Sequence, residues 1–273
     1  MSIAATKTAP VGLANEPILL RKDADGVTTL TLNRPKQYNS LSEAMLDELL
    51  AAFEAIAKEE QVRVVVLAGN GAAFCAGHDL KEMRARRDQD YYRALFAKCG
   101  RMMQAITHLP QPVIARVHGI AAAAGCQLVA QCDLAVASKA AKFATSGINV
   151  ALFCSTPAVA LTRNVTRKQS FEMLMTGEFI SADEAVERGL VNHAVEAEAL
   201  DEAVATLARK IISKSPVAVR MGKAMFYKQS ELGLAAAYDY AGEVMACNMM
   251  AEDVADGIDA FASKKPAPDW KGR

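Results

Sequence analysis

Two short segments of the chain set small residues beside polar ones in a pattern suited to carbonyl chemistry. They are Phe74-Cys75-Ala76-Gly77-His78-Asp79-Leu80, and His118-Gly119 running on to Ala124-Gly125-Cys126-Gln127-Leu128. Each follows a strand-like run and has small residues where a helix is expected to begin, which leaves backbone N–H groups uncovered. Two such donors can hold one oxygen. Where negative charge develops on that oxygen, as in the enolate of an acyl thioester, preorganised donors contribute roughly 3 to 4 kcal/mol each. The same small residues equally allow tight packing of strand on helix.

Other chemistries find less support. No GxGxxG follows an early strand and no GxxxxGK[ST] occurs, so NAD and ATP sites are not expected. The six cysteines, Cys75, Cys99, Cys126, Cys132, Cys154 and Cys247, form no CxxC pair and no metal-ligand spacing with the four histidines, which argues against zinc, any other metal site or a disulfide framework. Cys154, ahead of Ser155, Thr156 and Pro157, offers a nucleophile only if its pKa is lowered, and a small buried hydrophobe is the plainer role. Thr145, Ser146 and Asn149 can hydrogen-bond a ligand but supply no base. His108, His118 and His193 fall at predicted element ends and read as structural.

The elements that must position these segments follow from periodicity. Ile18 to Leu20 and Val27 to Leu32 flank Asp25-Gly26, a tight-turn dipeptide, so two antiparallel strands open the fold. Ser40 with Glu43 reads as a capping box, and Leu46, Leu49, Leu50, Phe53 and Ile56 place a helix ending near Lys58. Arg63 to Ala68 is a buried parallel strand that delivers the loop 72–80. A helix from about Asp88 to His108, a strand over Pro112 to Val117, a helix starting near Ala124, and strands over Asp133 to Ala137 and Lys142 to Ala144 then alternate. That order implies an α/β fold with crossover connections. From about Ala182 the signals are helical: a second capping box at Ser181 and Glu184, a helix opened by Ser215-Pro216, and a long run over Ala235 to Ala262.

Composition sets the class. Of 273 residues, 52% are hydrophobic and 23% charged, with 31 basic and 31 acidic side chains, which suits a globular chain with no pull on nucleic acid. The most apolar stretch, Gly119 to Ala137, is interrupted by Gln127, Gln131 and Asp133 and reads as a buried element, not a membrane span. Residues 1–16 lack a secretory apolar region and the arginines of a transit peptide, so a flexible tail and a cytoplasmic protein are expected.

Taken in order, the motifs carry a resemblance. Arg34-Pro35-Lys36, Asn39-Ser40-Leu41, the 72–80 segment, Gly125-Cys126, Cys132-Asp133, Gly177, Ser181-Ala182, Ala185 and Gly189-Leu190-Val191 resemble the enoyl-CoA hydratase (crotonase) family over Pro17 to the C-terminus. The likeness is greatest to its domain-containing members with a Gly-His-Asp-Leu loop. It implies a crotonase-type spiral of ββα units in residues 17–200, a helical C-terminal oligomerisation region in 201–273, and a homotrimer or dimer of trimers. It further implies an acyl-CoA thioester as partner, no cofactor beyond coenzyme A within the substrate, and oxyanion-hole amides at Ala76 and Ala124. Substrate contacts would come from Lys36, Gly77, His78, Asp79, Leu80 and Gly125. The resemblance gives Asp79 a loop-organising role, makes Phe226, Tyr227 and Lys228 candidates for the outer substrate site as against a plain helix surface, and leaves Met245, Met249 and Met250 to fill a helix interface.

Two departures matter. A standard hydratase carries glutamates at the positions aligned with Gln127 and Gly147, one to take a proton from water and one to deliver a proton to the α carbon. A glutamine amide does neither near neutral pH. Losing such assistance costs about 10² to 10⁴ in rate. The chain is therefore expected to be either an enoyl-CoA hydratase of doubtful efficiency, a crotonase-type enzyme of another reaction such as thioester hydrolysis or decarboxylation, or a non-catalytic acyl-CoA-binding protein.

Overall fold

The computed structural model describes residues 16–273, so the expected N-terminal tail lies, but for Glu16, outside the described residues. β1 (Leu19–Ala24) and β2 (Val27–Leu32) pair antiparallel through the predicted turn, in which Asp25 and Gly26 have φ of 50° and 76°. α1 (Glu43–Ile56) follows, with Met45, Leu46, Leu49, Phe53 and Ile56 buried. Its cap is Ser42, whose hydroxyl accepts from the Met45 N–H at 3.2 Å. Ser40, the expected cap, instead hydrogen-bonds Asp79 at 3.3 Å.

The next stretch alternates paired strands with helices. β3 (Val64–Gly69) and β4 (Ala73–Cys75) precede α2 (Leu80–Ala85) and α3 (Gln89–His108); β5 (Val113–Val117) and β6 (Ile120–Ala122) precede α4 (Ala124–Gln131). β7 (Leu134–Ser138) and β8 (Lys142–Ala144) precede α5 (Ser155–Leu161) and α6 (Arg167–Thr176). In each pair the first strand joins a six-stranded sheet, ordered β1, β2, β3, β5, β7 and a later β10 (His193–Val195). The second joins a four-stranded sheet ordered β4, β6, β8 and β9 (Ile180–Ser181). This is the expected α/β spiral of ββα units. Residues 72–80 are thus not all loop, because β4 occupies three of them; three residues are too few for a period of two to show.

α7 (Ala182–Glu187) opens with the predicted capping box of Ser181 and Glu184. α8 (Leu200–Ile212) lays Leu200, Val204 and Ala208 on Val64, Val66, Ile114 and Val136 of the large sheet. It therefore belongs to the core, and the boundary expected after residue 200 moves beyond α8. The remaining helices are α9 (Pro216–Gln229), α10 (Leu234–Met249) and α11 (Glu252–Ala262); the run expected over 235–262 is broken where Ala251 turns extended, with ψ of 141°. Met245, Met249 and Met250 stand exposed on this chain and fill no interface within it. No helix among the described residues is long and apolar enough to cross a membrane.

α9 is tied down by a buried ion pair. Lys223 Nζ donates to Asp133 Oδ2 at 2.6 Å and to the carbonyls of Ile106 and Gln111 at 2.8 and 2.9 Å, while Tyr227 donates to Asp133 Oδ1 at 2.7 Å. The Val113 N–H also donates to Asp133 Oδ2, at 2.6 Å, so one carboxylate joins β5, β7 and α9.

Candidate active site

The two segments singled out by composition meet where β4 and β6 end. A parallel bridge joins Leu41 and His78: the Leu41 N–H donates to Gly77 O at 2.7 Å and the Asp79 N–H donates to Leu41 O at 3.2 Å. In such a bridge the intervening residue turns its own amide the other way. The His78 N–H accordingly points away from Leu41, and it meets no acceptor among the described residues. Gly77 makes the reversal with a φ of 98°, a region that L side chains rarely enter.

Across from it, β6 passes into α4 through Ala123, whose φ of 49° and ψ of −117° are strained for a residue with a Cβ. Its N–H donates to Ala144 O at 2.8 Å on β8, which holds the strained turn in place. The next amide, Ala124, begins the helix and has no intrahelical acceptor. A Cβ added at Gly77 would stand 3.1 Å from that nitrogen and 3.0 Å from Ala123 Cβ. The absence of a side chain at Gly77 keeps the Ala124 amide uncovered.

Other site residues have definite duties. Gly125 is a packing residue: its missing Cβ would lie 2.0 Å from Cys75 O, so the helix start presses on β4 and not on a ligand. Asp79 caps α2 by accepting from the Lys81 N–H at 3.1 Å, and pairs with Arg34 at 3.0 Å. Burial pushes its carboxyl upward, but Arg34 and the amides of Glu82 and Lys81 outweigh this and hold it below the usual carboxylate range. It is thus a poor proton acceptor near pH 7 and a loop organiser. The His78 imidazole packs edge-on against Phe96, and burial depresses its pKa, so the ring is neutral at pH 7. Neither ring nitrogen has a partner among the described residues.

Gln127 is 5% exposed, and its Oε1 has no hydrogen-bond partner among the described residues. Gly147 has no room for a side chain, since a Cβ there would stand 2.4 Å from Leu152 O and 2.8 Å from Cys154 Sγ. Its N–H donates to that Sγ at 3.3 Å. Burial nonetheless raises the Cys154 pKa, so the thiol stays protonated and is no nucleophile. Beside the two segments opens a cleft of about 840 Å³ lined by Leu80, Lys81, Met83, Arg84, Ala85, Tyr92, Val150 and Leu152. Lys36 is exposed at a separate hollow of about 320 Å³ shared with Asn33, Arg34 and Gln37. Phe226 faces outward, while Tyr227 is committed to Asp133, so the two do not act together at a ligand. Among the described residues no cluster of His, Cys, Asp and Glu could hold a metal ion.

Comparison with known proteins decides the kinship. The family model described as enoyl-CoA hydratase/isomerase matches residues 22–273. The chain belongs to this family. It is 45% identical over 262 residues to the rat enoyl-CoA hydratase domain-containing protein 3, mitochondrial, covering 96% of this chain and 87% of the rat protein. Among solved structures, an enoyl-CoA hydratase of Mycobacterium smegmatis superposes with a TM-score of 0.92 at 59% identity, covering 93% of this chain and 99% of that one. The human enoyl-CoA hydratase domain-containing protein 3 gives a TM-score of 0.90 at 44% identity, covering 93% and 100%. The fold is therefore the crotonase fold. The rat protein and its human counterpart are named as mitochondrial, which overturns the cytoplasmic expectation.

One expected donor is also corrected. The Ala76 N–H donates to Tyr38 O at 3.0 Å and is not available to a ligand. The uncovered amide of this loop is two residues on, at His78. The signal for it was the Gly77-His78 pair, because a glycine at positive φ redirects the amide that follows. Nothing in the sequence marked Ala123 as strained, since alanine gives no warning of a left-handed backbone.

Proposed function

We propose that this crotonase-family chain binds an acyl-CoA thioester and holds its carbonyl oxygen between the N–H groups of His78 and Ala124. The observation that supports the reading is that the amides of His78 and Ala124 have no acceptor among the described residues, while Gly77, next to His78, lies so close to Ala124 that a Cβ on it would stand 3.1 Å from the Ala124 nitrogen. Charge developing on the thioester oxygen is stabilised there by donors that need no reorganisation. The adjoining cleft is within the range of small-molecule sites and mostly apolar, as an acyl chain requires. Coenzyme A enters as part of the substrate, and no further cofactor is used. The exposed apolar residues of α9 to α11, such as Phe226, Leu234 and Met245, fit burial against further copies in a homotrimer or dimer of trimers.

Enolate stabilisation is kept in this site, whereas proton transfer is weak. Gln127 is neutral, Gly147 carries no side chain, Asp79 is engaged by Arg34, and the His78 ring is turned onto Phe96. The chain is thus a slow hydratase of trans-2-enoyl thioesters, or acts on thioesters whose reaction needs an oxyanion but no strong base. A second reading, an acyl-CoA-binding protein without turnover, is favoured by the closed space at Gly147.

Infrared difference spectra of bound crotonyl-CoA test the shared part. The thioester C=O stretch is expected at lower wavenumber than in solution; an unshifted band would refute the two-donor assignment. Loss of conjugated thioester absorbance over time then separates slow hydration from binding alone.

A further inference from the structure

On the outer rim of the cleft, apolar side chains stand in the open beside cations. Val150, Ala151, Leu152 and Phe153 form an exposed run ahead of α5, with Val150 62% and Phe153 40% exposed. Val150 and Leu152 line the cleft together with Leu80, itself 54% exposed. Lys81 and Arg84 line it too, and Arg86 and Arg87 follow directly in the chain, all four exposed.

None of these four cations joins an ion pair among the described residues, although Arg93 and Lys98 nearby both do. The Arg86 guanidinium lies 4.8 Å over the Tyr91 ring, which orients it without neutralising it. The neighbouring carboxylates have other duties. Glu82 accepts from the Glu43 N–H at 3.0 Å, Asp88 from the Tyr91 N–H at 2.8 Å, and Asp90 pairs with Arg93 at 2.8 Å. Residues 134–171, which supply the apolar run, contain no Asp or Glu.

We propose that this rim docks the protein on an anionic phospholipid surface. Residues 150–153 enter the boundary between headgroups and acyl chains, about 5 to 10 Å deep, while Lys81, Arg84, Arg86 and Arg87 meet the lipid phosphates. The two chemistries of the rim match the two layers of such a surface: an apolar interior just beneath a sheet of negative charge. A two-fold contact between copies fits less well, because it would set the four cations of one rim against those of the other. The docking is peripheral, since no helix among the described residues is long and apolar enough to span a bilayer. It is independent of the acyl-CoA reading above.

Flotation of the full chain tests this, with vesicles of two parts phosphatidylcholine to one part phosphatidylglycerol set against phosphatidylcholine alone. Binding to the mixed vesicles is expected to be at least about tenfold stronger. It should fall steeply in about 1 M salt, where the screening length drops from about 10 Å to about 3 Å. Arg86→Glu with Arg87→Glu, and separately Phe153→Asp, alter exposed side chains outside the cleft lining; each is expected to weaken binding at least about tenfold. A cooperative melt identifies folded variants. No flotation with the mixed vesicles, equal flotation with both kinds, or folded variants that bind like the parent would each overturn the proposal. So would a concentration-dependent protection of residues 150–153 from hydrogen exchange without lipid, which would assign the rim to a contact between copies.

Discussion

Gly77 and Ala124 face each other so closely that a single methyl on the glycine would stand 3.1 Å from the alanine nitrogen. The bare α-carbon of one residue thus keeps the amide of the other open to a ligand. Gly77→Ala both fills that space and forces a Cβ into a φ of 98°. The backbone strain is worth about 1 to 3 kcal/mol, read as a lower urea midpoint. Acyl-CoA affinity should fall at least about tenfold through the covered donor, which calorimetry on the folded fraction would measure.

Gln127 and Gly147 should respond oppositely when a carboxylate is reintroduced. Gln127→Glu is nearly isosteric and is expected to raise crotonyl-CoA hydration by about tenfold or more, since it supplies a proton-transferring group. Gly147→Glu must displace Leu152 O, 2.4 Å from its Cβ, so the backbone shifts and stability falls by about 3 kcal/mol. Initial rates and urea unfolding of both variants check the pair of outcomes.

Asp79 should prove a structural and not a proton-transferring group. Asp79→Ala removes the α2 cap and leaves Arg34 without its partner, for a loss of about 1 to 3 kcal/mol. Because the folded carboxyl titrates below its unfolded value, its contribution is complete above the ordinary carboxylate range near pH 4 and is lost as pH falls through the depressed folded value. The difference in unfolding free energy between parent and variant should therefore be flat from pH 5 to 8 and shrink only in acid; a difference growing toward acid would contradict the assignment.

Lys223→Met leaves the Asp133 carboxylate enclosed without its cation. A cost of about 3 to 5 kcal/mol is expected, seen in urea unfolding. The double variant Lys223→Met with Asp133→Leu should recover part of that loss, since no lone charge then remains, although the Val113 N–H also loses its acceptor.

The α/β order, the first hairpin, the strand before residue 72 and the capping box at Ser181 were legible in the sequence, because each rests on local periodicity or turn chemistry. β4, β6 and β10 were not, at three residues apiece; their pairing comes from neighbours distant in the chain. The site was half legible. The helix start at Ala124, with its uncovered amide, followed from small residues ahead of a helix, whereas the engagement of the Ala76 amide depended on Tyr38 folding back over it, a contact of 38 residues' separation that no local pattern encodes. The closed space at Gly147 likewise arises from the return of the chain at Leu152.

The strained turn at Ala123 hangs by its N–H on Ala144 of the neighbouring strand, and the loop before His78 hangs by Leu41 on the first helix's approach. Both amides thus belong to the main chain, so a substitution at His78 or Ala124 other than proline leaves the N–H itself in place. A side chain such as Gln127 can be exchanged while these two amides keep their places, so the reaction proposed for the site can be altered without rebuilding the main chain proposed to hold the carbonyl.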